Sequence, residues 1–344
     1  MYDIIVVGGG VAGLYFAGLV KDKKVLLIEE HKNLGPKRCS GIVSSRINDF
    51  FELPRAIIEK KITKAKLHCG ELTAEIKLDS VALNKEKFEQ YLLKKIPKNV
   101  DIVFEKVNKI ESDFCVTVFT KNKTYQSKYI VGCDGHNSIV RRTLLGDEPK
   151  KFYFGKFGYS LEKPSDSYHV FFDSDYSDLF SWTAPRRGKV EYGLICEKRI
   201  NKYYEKFLHD KKPVHITDEG FGVIPIGMCR CSFNSGVLIG NSAGMTKPLT
   251  GGGIIYSLIA GEIAAREFNK KTPDFKNYEM ECKKRFRKEI KYQLILRKIY
   301  SMLNDKWKQR LVKMISKNKL KIDMDFPVTD ILKDKKLDIL KSIF

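Results

Sequence analysis

The chain has 344 residues, 43% of them apolar, enough to bury one large core or two moderate ones and far from the composition of a disordered chain. Lys and Arg outnumber Asp and Glu by 63 to 42, a formal charge of +21, and 21 Lys or Arg stand against 10 Asp or Glu from Lys271 to Phe344. No run of 18 apolar residues occurs and the N-terminus enters the fold at once, so neither a spanning helix nor a signal peptide is expected. The eight cysteines are scattered, as in a reducing compartment, and Cys229-Arg230-Cys231 lacks the spacing of a structural zinc pair, so no metal site is expected. No zinc-finger, RRM or KH signature accompanies the positive charge, so nucleic acid is not the expected partner. An anionic membrane surface, a phosphorylated substrate and plain lysine-rich solvated helices all fit it.

Asp3 to Val7 reads as a short buried strand leading into Gly8-Gly9-Gly10-Val11-Ala12-Gly13, a G-x-G-x-x-G between strand and helix. Gly8 allows the tight turn, Gly10 lets the backbone approach a pyrophosphate, and Gly13 lets the helix from Val11 to about Val20 pack on the sheet. The pyrophosphate would sit on the free N–H groups at Val11, Ala12 and Gly13. A second strand from Lys24 to Ile28 ends at Glu29, whose carboxylate is placed to accept from the hydroxyls of an adenosine ribose and to repel a 2′-phosphate. Leu34 to Gly41 is a loop in which Lys37 and Arg38 precede Cys39, a setting that activates a thiol or holds phosphate oxygens, although a lone cysteine after a strand is more often simply a small buried residue.

A helical stretch is predicted for Ser44 to Ile58, then two or three strands around Lys64 to Leu78, a helix from Asn84 to Leu93, and a strand from Asp101 to Phe104 extending the first sheet. Phe114–Phe119 and Tyr125–Tyr129 read as a hairpin. Tyr129 to Cys133 then runs into Asp134-Gly135 and a capped helix carrying Arg141 and Arg142. Asp134-Gly135 read alone is a plain turn; at the edge of a nucleotide site Asp134 would instead bind ribose or ribityl hydroxyls and Arg141 would balance a phosphate, with His136 helping to cap the helix. Strands around Tyr153–Tyr159, Ser167–Phe172, Leu179–Thr183 and Val190–Ile195 indicate an antiparallel sheet whose aromatics line either an apolar tunnel or an ordinary core. After a helix from Asn201 to Leu208, Gly236 to Gly244 forms a third strand-to-loop element and leads through Gly251-Gly252-Gly253 into a helix from Ile254 to Phe268. Its free N–H groups suit an anionic ring carbonyl or a phosphate. Asn277 to Asn318 reads as two basic amphipathic helices with Phe286, Ile290, Leu294, Ile299, Leu303, Trp307, Leu311 and Ile315 on their apolar sides.

Together, Gly8–Gly13 with Glu29, Gly132-Cys133-Asp134-Gly135 and Gly240-Asn241-Ser242-Ala243-Gly244 resemble the flavoproteins that include para-hydroxybenzoate hydroxylase. More closely they resemble the geranylgeranyl reductase family, and within it the archaeal-type digeranylgeranylglycerophospholipid reductases. Pro36-Lys37-Arg38-Cys39-Ser40-Gly41 fits that family's P-x-x-C-x-G, and Phe180-Ser181-Trp182-Thr183-Ala184-Pro185 with Gly193 fits its aromatic-x-Trp-x-Phe-Pro and glycine signature. The resemblance covers about residues 1 to 270. It departs from the family at Asn241, where Asp is usual, at Ala184 in place of Phe, and at Asn84, where many relatives have Arg.

The resemblance implies an α/β fold: a Rossmann-like FAD-binding domain from 1–60, 80–150 and 215–270, an antiparallel-sheet substrate domain from 61–79 and 151–214, and a basic helical region over 271–344. It implies FAD held by Gly8, Gly10, Val11, Ala12, Gly13, Glu29, Arg38, Cys39, Asp134, Gly135, Arg141, Asn241, Gly244, Gly252 and Gly253. Cys39 would be the catalytic residue near the flavin, and Tyr159, Phe180, Trp182 and Pro185 would contact a prenyl lipid. The implied activity is saturation of isolated C=C bonds in geranylgeranyl chains by reduced flavin plus a proton. The reductant would be external, NAD(P)H or a ferredoxin-like protein, because no second G-x-G-x-x-G is present. A cytoplasmic protein peripheral to an anionic membrane is expected. The same scaffold admits an FAD-dependent monooxygenase of an aromatic or polyprenyl substrate, and a flavin-containing binding or regulatory protein without turnover.

Overall fold

Four consecutive apolar residues, Ile4 to Val7, are almost wholly buried, as only a central strand of a parallel sheet covered on both faces permits. In the computed structural model, which describes residues 1–32, 39–317 and 324–328, they belong to the strand Tyr2–Val7. It lies between Val25–Glu29 and Thr124–Gly132, parallel to both. Val100–Phe104 pairs in parallel with Val25–Glu29, and Gly236–Leu238 in parallel with Thr124–Gly132. An antiparallel arm, Val107–Ser112 and Val116–Thr120, folds onto Thr124–Gly132.

The helices Val11–Leu19 and Ile254–Phe268 pack against each other, with the Phe16 and Phe268 rings edge-on at 5.3 Å. Small residues let them approach: a Cβ on Gly261 would stand 3.1 Å from the Tyr15 ring. These elements form the first of two units, Met1–Pro36, Glu86–Lys151 and Ile224–Ile290.

The second unit comprises Lys37–Lys85, Phe152–Val223 and Lys291–Phe344. Its sheet is mostly antiparallel, in the order Ile216–Ile226, Lys151–Ser160, Lys189–Cys196, Phe180–Arg186, Tyr168–Phe171, Ile58–Cys69, Leu72–Leu83, Ile42–Ser44. The pairing of Tyr168–Phe171 with Ile58–Cys69 is parallel. The helix Ile200–Lys211 covers one face, and Tyr204 and Phe207 pack there with Tyr192, Leu194 and Cys196.

The α/β architecture with a second, largely antiparallel sheet is as expected, but the boundaries differ. Residues 39–60 belong with the second unit, because Ile42–Ser44 pairs with Leu72–Leu83. The C-terminal stretch is helical as expected, and its described residues are divided between the two units, 271–290 with the first and 291–317 with the second. The predicted helix from Ser44 to Ile58 is a single 3-10 turn, Ser45–Asp49, after a short strand. Pro54 disfavours the helical region for the residue before it, and the chain is extended again at Ile58. The strands Val107–Ser112 and Ile216–Ile226 were not foreseen. The two basic helices span Phe275–Met302 and Asp305–Lys317, yet Trp307, expected on an apolar side, is 49% exposed, with the Arg310 guanidinium over its ring.

Candidate functional site: a dinucleotide turn and an aromatic face carrying buried charge

Gly8 and Gly13 of the first turn each answer to a close backbone contact. Gly8 sits at φ +101°, and a Cβ there would stand 2.4 Å from the Cys133 carbonyl oxygen. A Cβ on Gly13 would stand 1.9 Å from the Gly8 carbonyl oxygen, so the helix Val11–Leu19 starts against the turn only because position 13 has no side chain. Gly10 is the residue preceding that helix, and its Cβ position is open apart from Glu89 Oε1 at 3.9 Å. Val11 and Ala12 therefore open the helix with N–H groups that have no intrahelical acceptor. Glu29 closes the turn from the next strand: Oε2 accepts the Gly9 N–H at 2.6 Å and Oε1 accepts the His31 N–H at 2.8 Å.

The second loop lies beside the first, since the Cys133 N–H donates to the Val7 carbonyl at 2.8 Å. Asp134 Oδ2 accepts the Val140 N–H at 3.1 Å and so helps cap the helix Ile139–Leu144, together with the Ser138 hydroxyl oxygen on the Arg141 N–H. Asp134 Oδ1 is buried and has no partner among the described residues. Burial lifts this carboxyl above its ordinary value, opposed by its hydrogen bonds from the helix start. A buried acceptor left open is what a hydroxyl-bearing ligand completes. Gly135, at φ +76°, turns the chain with open space around it.

Arg141, expected at a phosphate, is buried and committed to protein. It donates to the carbonyls of Ser242 and His136 at 2.9 Å each and to Glu148 at 2.8 Å. Its work is to tie the second loop to the third. The cap expected from the His136 side chain comes from Ser138 and Asp134, while the His136 carbonyl holds Arg141.

In the third element Gly244 takes φ +65° after the 3-10 turn Gly240–Ala243, where a Cβ would stand 2.4 Å from the Gly227 carbonyl oxygen. Gly253 precedes the helix Ile254–Phe268 and faces Asn241 Oδ1, 3.1 Å from its Cβ position. Gly252 leaves room for Lys247, whose Cε is 2.6 Å from the Cβ position. Lys247 is only 6% exposed, a buried cation beside the glycine loop that sequence reasoning passed over. The lysine-rich composition masked it: one lysine among many shows no sign of burial. Thus Gly8 to Gly13, Glu29, Asp134, Gly135, Asn241, Gly244, Gly252 and Gly253 all lie in the first unit and fit an extended dinucleotide with hydroxyls and phosphates.

In the second unit, Cys39 is exposed, and its sulfur accepts the Gly41 N–H at 3.4 Å. Arg38 lies outside the described residues, as do Pro36 and Lys37. Strand register sorts the predicted substrate residues. Tyr159 pairs with Glu191, Ala184 with Glu191, and Trp182 with Gly193. By alternation Phe157, Tyr159, Phe180, Trp182, Ala184 and Glu191 share one face, and Pro185 points to the other with Tyr192. The expected foursome is thus a threesome. The other aromatics on Pro185's side, including Tyr192 and Phe154, belong to the core under the helix Ile200–Lys211.

That face carries charge that no motif revealed. The indole N–H of Trp182 donates to Glu191 Oε1 at 2.8 Å. Arg186 Nε lies 2.9 Å from Glu59 Oε2 and 3.7 Å from Glu191 Oε2, and the three side chains are 2%, 11% and 0% exposed. Burial pushes the Glu191 carboxyl up, and the Arg186 guanidinium and the indole oppose it. Burial also raises the Tyr159 phenol. Period-two alternation around Glu191, in the run Val190 to Ile195, was the one signal available.

No family model matches the chain. It is 27% identical over 350 aligned residues to an uncharacterised protein of Methanocaldococcus jannaschii, covering 93% of this chain and 89% of that one. A geranylgeranyl bacteriochlorophyll reductase-like protein from Thermoplasma acidophilum superposes with a TM-score of 0.85 at 19% identity, over 100% of this chain and 99% of that one. PqsL of Pseudomonas aeruginosa, described as a probable FAD-dependent monooxygenase, gives 0.68 at 14% identity over 88% and 97%. HpxO of Klebsiella pneumoniae, solved with FAD, gives 0.69 at 14% over 99% and 99%. These likenesses establish the fold.

Proposed function

We propose that the chain is an FAD-dependent oxidoreductase acting on an unsaturated, lipophilic substrate. The observation that carries the cofactor is the agreement of three loops in one unit: the glycine turn closed by Glu29, the open buried oxygen of Asp134, and Asn241 facing Gly253. HpxO, of the same fold, was solved with FAD. Bound there, a reduced flavin supplies electron pairs to an alkene or to dioxygen. The chain's own residues hold the dinucleotide: N–H groups at Val11 to Gly13 for the phosphates, Glu29 for a ribose, Asp134 and Asn241 for further hydroxyls. The buried aromatic face of the second unit supports a lipophilic substrate; Glu191 and Tyr159 on that face, and Cys39 elsewhere in the same unit, are groups able to give up a proton.

Two finer readings divide the support. Oxygenation of an aromatic or polyprenyl substrate has the broader support, because PqsL and flavin-dependent halogenases share the fold. Saturation of prenyl double bonds is supported by the reductase-like protein with the higher TM-score and by the motifs around Cys39 and Trp182. An external donor, NAD(P)H or a ferredoxin-like protein, and peripheral contact with an anionic membrane through the basic helices complete the proposal.

The deciding experiment reduces the FAD-loaded protein with dithionite without air, adds digeranylgeranylglyceryl phospholipid, and follows flavin reoxidation and product mass. A gain of two hydrogens per double bond establishes the reductase. Oxygen uptake driven by NAD(P)H and a gain of one oxygen atom, with no anaerobic turnover, establish the monooxygenase. Bound FAD that no donor reduces and no prenyl ligand perturbs overturns both and leaves a binding protein.

A further inference from the structure

The strand Ile58–Cys69 does not begin as a regular strand. Ile58 pairs with Leu83 and Lys60 with Ala82, so Glu59 is the extra residue of a bulge. A bulge re-aims side chains that strict alternation would send to opposite faces. Here Ile58, Glu59, Lys60 and Lys61, four residues in a row, line one cavity of about 610 Å³ together with Leu53, Arg55 and Arg187.

Arg187 builds the rim. Its guanidinium donates to the carbonyl oxygens of Arg55 at 3.3 Å and Ile58 at 2.9 Å, holding the loop and the bulged strand in place. Its neighbour Arg186 is buried and takes the Glu59 carboxylate at 2.9 Å, so the one acid in the cavity wall is already neutralised. Lys60 is 3.1 Å from Asp166, itself almost fully exposed. Among the described residues Arg55 and Lys61 have no acidic partner. Four cations thus line the space, and apart from the ion-paired Glu59 its remaining walls, Leu53 and Ile58, are apolar. Its volume falls in the range of small-molecule sites and far exceeds one oxyanion. Arginine forks and lysine ammoniums over an apolar floor suit a phosphate group on a carbon body.

We propose that this cavity binds a phosphate group, as a free ion or as the head of an amphiphile. Its lining residues all belong to the second unit, and it goes beyond the flavin reading, being independent of which reaction the flavin performs.

The test is calorimetric titration of the full-length, FAD-loaded protein at low ionic strength with monomeric dihexanoyl phosphatidic acid and, separately, with inorganic phosphate. Arg55→Gln combined with Lys61→Gln, both exposed side chains, should weaken binding by at least about tenfold while leaving the melting temperature unchanged. Raising the salt concentration should weaken the wild type. Tighter binding of the lipid than of phosphate assigns the apolar walls a part; equal affinity assigns a free-phosphate site. An Arg187→Gln variant, which loosens the rim, should also bind more weakly. The absence of saturable binding to the wild type, or an unchanged affinity in the double variant, overturns the proposal. Flavin content is read in the same samples, so failure of the cofactor reading is seen separately.

Discussion

Gly13 and Glu29 carry the sharpest consequences at the scale of single residues. A methyl at position 13 would collide with the Gly8 carbonyl oxygen, a backbone atom that cannot rotate away. Gly13→Ala should therefore lose most of its flavin on purification, judged by absorbance, and lose about 1–3 kcal/mol of stability to urea, as overpacked sites do. Glu29→Ala removes the acceptor that closes the turn and, on the proposed reading, one for the ribose, and should weaken FAD binding about tenfold or more in a fluorescence titration. The spacing of Gly8, Gly13 and Glu29 was legible because the close backbone approaches at the glycines and the closing of the turn by Glu29 fix those positions in the chain. Arg141 was not legible. Charge and position suggested a phosphate, but whether a guanidinium faces a ligand or two carbonyls depends on where Ser242 arrives, 101 residues later.

At the scale of the element, strand register decides what a residue can touch. The strands at Phe180 and Val190 were readable from alternation, but their partners were not, and only pairing reveals that Trp182 folds over Gly193. A Cβ at position 193 would stand 2.4 Å from the indole. Gly193→Ala should displace Trp182 from Glu191 and destabilise the chain by about 1–3 kcal/mol. Its fluorescence should redden, a change easily resolved in a protein with two tryptophans.

A second pairing brings His68 and His169 together, stacked at 5.1 Å with Nε2 of one 2.9 Å from Nδ1 of the other. Burial, then the mutual repulsion of the rings and the nearby Lys211, pulls His68 from 6.5 to about 4; burial and Lys66 lower His169 as well. The unfolded chain takes up these protons near 6.5 and the folded chain resists them. Their contribution is present above 6.5 and is lost as the pH falls from 6.5 towards 4. Urea midpoints should fall across that window, and His68→Phe should flatten the fall; an identical profile in the variant would refute the assignment.

For the whole molecule, the two-part α/β plan was legible because glycine turns and strand patterns are local. The unit boundaries were not, since the placing of residues 39–60 depends on the pairing of Ile42–Ser44 with a strand some 40 residues away. FAD bound only by the folded first unit should add about 2.7 kcal/mol of stability at a hundredfold excess over its dissociation constant. Slower amide exchange in Tyr2–Val7 and Val25–Glu29 on adding FAD would register it; unchanged exchange there would argue against the site.

The three sequence pieces of the first unit also set an order of events during synthesis. The Gly8 turn leaves the ribosome first, but the strand Gly236–Leu238 that flanks Thr124–Gly132, and the helix Ile254–Phe268 that packs on Val11–Leu19, are made more than 200 residues later. Until then the apolar edge of Thr124–Gly132 and one side of the first helix stand uncovered, open to chaperones and to other chains. Nascent chains stalled before residue 236 should hold no flavin however long they wait, whereas released chains acquire it in a single late step, so the cofactor becomes a timestamp of complete translation.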